Sequence, residues 1–238
     1  MKLRSTTRWL AAGAGAAAAS YGVYASVAWL RYGHAAGPRT AKEADPLLDR
    51  FMPDYDIVER HSIRVAAPPE ATFAAACEMD LQESAILRAI FRARELVLGA
   101  QPVGTRLPQG LLAQTKALGW GALAEEPGRE IVMGAVTRPW EANPRFRALP
   151  PEEFAAFSEP GYVKIAWTLR VDPAGAAASV HRTETRAVAT DGLARRKFRR
   201  YWAAVSPGIV LIRRIAVRLV KRRAERISSC RETGKTGR

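Results

Sequence analysis

The chain has 238 residues, 48% hydrophobic and 25% charged, a composition that can bury one sizeable core and excludes a disordered protein. Its 37 Lys and Arg against 23 Asp and Glu give a formal charge of +14, most of the excess lying beyond Asp191, which implies an anionic partner or a solvated cationic face. Two cysteines, Cys77 and Cys230, and three scattered histidines, His34, His61 and His181, exclude a disulfide framework, a CxxC pair and a clustered metal site, so no metal or other cofactor is expected.

Lys2, Arg4 and Arg8 precede an uncharged run from Trp9 to Leu30, about long enough to cross a hydrocarbon core as a helix. With Trp9 near one end and Tyr24, Trp29 and Tyr32 toward the other, residues 1–33 read as a retained membrane anchor. A cleavable signal peptide stays open, because Ser26-Val27-Ala28 has small residues at suitable offsets. Basic residues flank the run almost equally, and the α-amine tips the expected topology toward a domain outside the cytoplasm. Residues 34–54, with Gly37, Pro38, Pro46 and Pro53 and no periodicity, read as a linker.

The folded domain is expected over residues 55–227. Ile57, His61, Ile63 and Val65 alternate with Arg60, Ser62 and Arg64, which predicts a half-buried strand ended by Pro68-Pro69. Two helices follow, Pro69 to Met79 and Ser84 to Leu98, the second closed by Gly99. The pattern then changes to period two. Leu118, Trp120, Ala122 and Ala124 lead into Glu126-Pro127-Gly128-Arg129, and Ile131, Met133, Ala135 and Thr137 lead out, predicting a hairpin. After a proline-rich interruption with a helical turn at Glu152 to Phe157, Val163 to Val171 alternates strictly. Asp172-Pro173-Ala174-Gly175 then turns the chain into a last strand, Ser179 to Val188.

Asp191 stands where the N-cap of a long helix belongs. Phe198, Trp202, Val205, Ile209, Ile212, Ala216 and Leu219 recur at steps of four and three and form one apolar stripe, while arginines and lysines occupy the other faces. Ser206-Pro207-Gly208 predicts a kink, with Ser206 capping a second collinear segment; two separate short helices are the alternative. Residues 228–238 form a polar basic tail.

An antiparallel sheet with one apolar face needs a cover, and only the last helix is long enough, so the fold class is α+β. The element order resembles the helix-grip fold, and the chain from about Tyr55 to Ile227 resembles the START-like superfamily, also called SRPBCC, with its polyketide cyclase-like and lipid-transfer members. The resemblance is carried by the strand ending in an Ala-Pro dipeptide before the first helix, Ile63-Arg64-Val65-Ala66-Ala67-Pro68-Pro69-Glu70-Ala71-Thr72-Phe73. The hairpin Tyr162 to Val188, running into the helix that holds Phe198, Tyr201 and Trp202, supports it. The resemblance implies a curved sheet around the long helix, a cavity between them for an apolar or amphipathic molecule, and no universal catalytic set.

Trp120, Met133, Ile165, Trp167, Leu169 and Trp202 fall on the inward faces, as plain core or as ligand contacts. His61 is in phase with them, as a polar group in the cavity or a satisfied histidine. Glu184 and Arg186, with Arg182, read as a solvated charge ladder on the outer face, or as an acid–base pair were that face the inner one. Arg138-Pro139-Trp140 shapes the cavity mouth or ends a strand. Three functions follow: a membrane-tethered protein binding a lipid, quinone or polyketide-like molecule; a cyclase or dehydratase using His61 or Glu184 with Arg186; and a module whose cationic face, Arg213, Arg214, Arg218, Lys221 and Arg222, docks on anionic lipid. The expected partners are a hydrophobic small molecule or lipid and a membrane, not nucleic acid, because no aromatic–basic stacking motif occurs. The oligomeric state is left open.

Overall fold

The computed structural model describes residues 2–37, 40–41, 43–80 and 108–236. In chain order the elements are α1 (Lys2–Arg31), α2 (Pro46–Asp49), β1 (Ile57–Val65), α3 (Pro69–Cys77), α4 (Leu111–Ala117), β2 (Gly121–Glu126), β3 (Glu130–Thr137), α5 (Pro151–Ala156), β4 (Val163–Pro173), β5 (Ser179–Ala189) and α6 (Gly192–Thr236). The predicted helix over residues 84–98 lies outside the described residues.

The strands form one antiparallel sheet in the order β1-β5-β4-β3-β2, with α6 along its inner face, the helix-grip arrangement. The pleat fixes which side chains face the helix. Register pairs Ile57 with Ala187, His61 with Thr183 and Val65 with Ser179, so odd-numbered residues of β1 and β5 point inward together. Tyr32, Ile57, Val163, Phe198 and Trp202 form one inner cluster, and Met79, Met133, Trp167, Leu169 and Val220 another. Each such large side chain contributes roughly 1.5–3 kcal/mol by leaving water. On the outer face α2 and α5 cover a third cluster built on Leu48, Met52, Val132, Val136 and Phe154.

Strand and turn positions follow the period-two pattern closely. Gly128 takes the left-handed conformation of the β2–β3 turn, and the β4–β5 turn closes between Ala174 and Ala178. The start of β2 differs. Residues 111–117, which carry no alternation, form a helix, and Leu118 is its C-cap, so the strand begins only at Gly121. Gly119 makes that change of direction at φ +96°, and a Cβ there would collide with the Phe146 carbonyl oxygen. Gly119→Ala should therefore cost more than about 2 kcal/mol, since both the conformation and the space exclude a side chain. A urea midpoint within error of wild type would show that the Phe146 segment yields.

At α6 the cap is as expected, Asp191 Oδ1 accepting from the Leu193 and Ala194 amides at 2.7 and 3.0 Å. The two-segment expectation is not met. One helix runs through Pro207, and Ser206 is buried rather than capping. Proline removes an amide and pushes on the preceding carbonyls. In that turn the Tyr21 hydroxyl of α1 donates to the Ala204 carbonyl, giving the strained turn an outside partner.

The membrane anchor is also overturned. No helix among the described residues is both long and apolar enough to cross a membrane. Alanine, glycine and serine dominate α1, and such small side chains carry little transfer free energy into hydrocarbon. Of the aromatics expected at a membrane interface, Trp9 is exposed, whereas Trp29 and Tyr32 dock on α6. Arg199 lies 4.3 Å above the Trp29 ring and donates to the Trp29 carbonyl, while Tyr32 packs edge-on to Phe198 and donates to the buried Asp56. Residues 34–54, expected as a linker, contribute α2, capped by Asp45, and bury Leu48, Phe51 and Met52.

Candidate functional site

Between β1, β5 and α6 the inner face turns polar. Glu59 and His61 of β1 sit opposite Thr185 and Thr183 of β5. From α6, Arg213 reaches across, its Nη1 donating to Thr183 Oγ1 at 3.2 Å and its guanidinium lying 5.9 Å from the Trp167 ring centre. His61 Nε2 stands 3.6 Å from the Glu59 carboxylate, too far for a hydrogen bond. Among the described residues, buried His61 Nε2 and Thr185 Oγ1 have no hydrogen-bond partner.

Electrostatics follow from this enclosure. Burial pulls the Arg213 guanidinium down to about 10, against the opposing charge of Glu59. Burial, and then the Glu59 charge, hold the Tyr24 phenol above its ordinary value beside Ser206. Further along β5, His181 is pushed down to about 4 by burial and is neutral at ordinary pH.

The apolar candidates fall on both sides of this polar strip. Met133, Trp167 and Leu169 are buried against Ala216, Leu219 and Val220, with Trp120 half-buried beside them, stacked on Phe146 at 5.0 Å. Ile165 and Trp202 pack with Phe198 and Ile209 toward the other end of the helix. Arg213 lies between the two groups along α6. Sequence reasoning placed it on the outward cationic face, yet Ile209, Arg213, Ala216 and Val220 keep steps of four, three and four. That spacing was the available signal. Glu59 was likewise overlooked, although it is in phase with Ile57 and His61.

The rest of the expected cationic face divides. Arg214, Arg218 and Arg222 are exposed, whereas Lys221 pairs with Glu225 at 2.5 Å and donates to the Arg64 carbonyl. Glu184 and Arg186 are on the outer face, so they do not meet His61 across the inner one. They are not solvated, however. Arg186 Nε donates to Glu184 at 2.7 Å, Arg186 Nη1 to Asp49 at 2.6 Å and to the Met52 carbonyl, and Arg60 holds Glu184 from the other side at 2.9 Å. The strap of residues 43–55 buries what would otherwise be a charge ladder.

Surface clefts border this region on both faces of the sheet. One, of about 90 Å³, opens on the outer face among Asp45, Arg60, Arg170 and Arg182, each of these guanidiniums already paired to a carboxylate. Another, of about 180 Å³, lies beside the first turn of α6 between Trp140 and Lys197. Arg138 borders it, stacked on Tyr162 at 4.4 Å and bonded to the Gly161 carbonyl. Among the described residues no group of three His, Cys, Asp or Glu side chains converges as metal ligands.

No family model matches the sequence, and no curated protein matches it. Among solved structures the chain is similar to the di-domain ARO/CYC BexL of the BE-7585A biosynthetic pathway, at 17% identity and a TM-score of 0.25 over 71% of this chain and 46% of that one. The chain thus spans less than half the length of that protein. It is also similar to a protein from Chromobacterium violaceum, at 16% identity and a TM-score of 0.25 over 65% of this chain and 95% of that one. The Zhui aromatase/cyclase from Streptomyces sp. R1128 matches at 11% identity and a TM-score of 0.22, over 71% and 94%. Likeness this distant carries no weight for function, which rests on the chain's own side chains.

Proposed function

We propose that this protein binds a small amphipathic molecule between the sheet and α6, using the helix-grip scaffold in the START-like manner. The observation that carries the reading is the pair of buried polar atoms on the inner face, His61 Nε2 and Thr185 Oγ1, which have no hydrogen-bond partner among the described residues. Each such group costs about 1–3 kcal/mol in an otherwise apolar contact, a cost that a bound molecule's polar end would remove. Its apolar body would lie against Ile165 and Trp202 on one side of the strip and Trp120, Met133, Trp167 and Leu169 on the other, the residues read from the sequence as cavity lining.

Native mass spectrometry with solvent extraction, on the full chain purified from its own host, tests this. The expected result is a one-to-one organic adduct below about 1 kDa that is released on denaturation. A folded protein that is empty, and that takes up none of the amphiphiles named below, would remove the basis for the proposal.

A further inference from the structure

The two faces of the sheet treat arginine differently. On the outer face Arg60, Arg170, Arg182 and Arg186 each hold a carboxylate at 2.6–2.9 Å. On the inner face Arg213 holds none within ion-pairing distance among the described residues. Its partners are a threonine hydroxyl and an indole ring, and Glu59 acts on it only as a more distant charge. Burying part of a guanidinium without a paired carboxylate is unfavourable, and the helix positions around Arg213, Ile209, Ala216 and Val220, are filled by apolar side chains.

The neighbouring groups narrow what the missing partner is. Thr183 Oγ1 already accepts from Arg213, so its own proton is free to be given onward. Thr185 offers a second hydroxyl, and His61 Nε2 is a third donor in the tautomer that carries its proton there. Glu59 is the competing acid: it stands on the edge strand β1 opposite Thr185, 3.6 Å from His61 Nε2, with its side chain 24% exposed, and it makes no ion pair with Arg213. A forked cation beside three neutral donors matches a group that only accepts, and that accepts at two oxygens.

Resting on the binding reading above, we infer that the bound molecule is a carboxylic acid, its carboxylate received by Arg213 with Thr183, Thr185 and His61 around it and its apolar part along the inner clusters. An acyl chain and an aromatic ring are both compatible with such a tail, and the test separates them.

Isothermal titration of the full chain with two matched pairs decides the matter: decanoate against 1-decanol, and 2-naphthoate against 2-naphthalenemethanol. Wild type should bind the acid of at least one pair about ten- to hundredfold tighter than its alcohol, and the pair showing the gap identifies the tail. Arg213→Met should close the gap by weakening the acid while the alcohol stays within about twofold, and Arg214→Gln, on the exposed neighbour, should change neither. If Arg213→Met does not fold, Arg213→Lys, which keeps the charge and loses the fork, should retain only part of the gap. Equal affinity for acid and alcohol in wild type, or a gap unchanged in Arg213→Met, overturns the assignment and leaves the binding reading standing. If wild type binds none of the four, the carboxylate assignment falls, and the binding reading falls with it only where native mass spectrometry also finds the protein empty.

Discussion

Arg186→Met should destabilise the protein by roughly 3–5 kcal/mol, the range for breaking a buried ion pair from one side. Arg186 is 2% exposed, deep under α2, and one guanidinium joins three separate parts of the chain. It holds Glu184 of its own strand, Asp49 at the end of α2 and the Met52 carbonyl beyond it, with the Tyr55 ring 4.7 Å away. Methionine fills much of the same volume, so the loss isolates charge and hydrogen bonding. Glu184 would be left buried with Arg60 alone, and the strap that seals Leu48, Phe51 and Met52 against the sheet would lose its central tie. The urea midpoint at constant slope reports the change. A loss below about 1 kcal/mol would mean that apolar contacts hold the strap unaided.

Wild type should lose stability as pH rises from about 6.5 to about 9, and Glu130→Gln should not, whereas below that window buried neutral His181 contributes the opposite slope. Glu130 is 2% exposed at the start of β3, and its carboxyl is pushed up to about 8, by burial first and then by hydrogen bonding and charge from Asp45, with Arg170 opposing at 3.8 Å. The folded state thus holds this proton more tightly than the unfolded chain, whose glutamates titrate at about 4.3. The stabilisation is complete below the unfolded value and is lost as pH climbs through the folded one. It amounts to at most about 5 kcal/mol, shared with Asp45. Asp45 also caps α2, so ionising Glu130 strains the anchor of the same strap. Urea unfolding across that range compares the two proteins. Parallel pH curves for wild type and variant would show that Glu130 is already ionised in the fold.

These two residues mark a limit of reading the chain alone. The strands of Ile57–Val65 and Val163–Val171, the turn at Pro127-Gly128 and the cap at Asp191 were legible, because each depends on neighbours a few residues away. The inward phase of Thr183, Thr185 and Ala187 was legible for the same reason, and it correctly sends Glu184 and Arg186 outward. That the outward charges are sealed under residues 43–55 was not, since α2 is only four residues long and its burial comes from contacts across more than a hundred positions.

Of the candidate site, His61 and the apolar residues on both sides of it were anticipated from alternation, whereas Arg213 and Glu59 were not. An arginine in an arginine-rich helix gives no local sign of which way it points. Its direction is set by the way α6 lies across β5 and β4, bringing it to Thr183 and Trp167. The N-terminal helix makes the same point. A helix of thirty residues, uncharged from Trp9 to Leu30, is written into Lys2–Arg31. That it lies along α6, held by Tyr21, Trp29 and Tyr32, is decided by partners nearly two hundred residues away.

By itself, then, the sequence determined the chain order and faces of the strands and the long apolar helix that covers them, hence the α+β class, through local periodicity and turn chemistry, while the helix-grip arrangement was implied by the resemblance of that element order. Tertiary structure alone decided which charges are paired on the outer face, which cation is left unpaired on the inner one and where α1 docks, because each of these depends on distances between segments far apart in the chain.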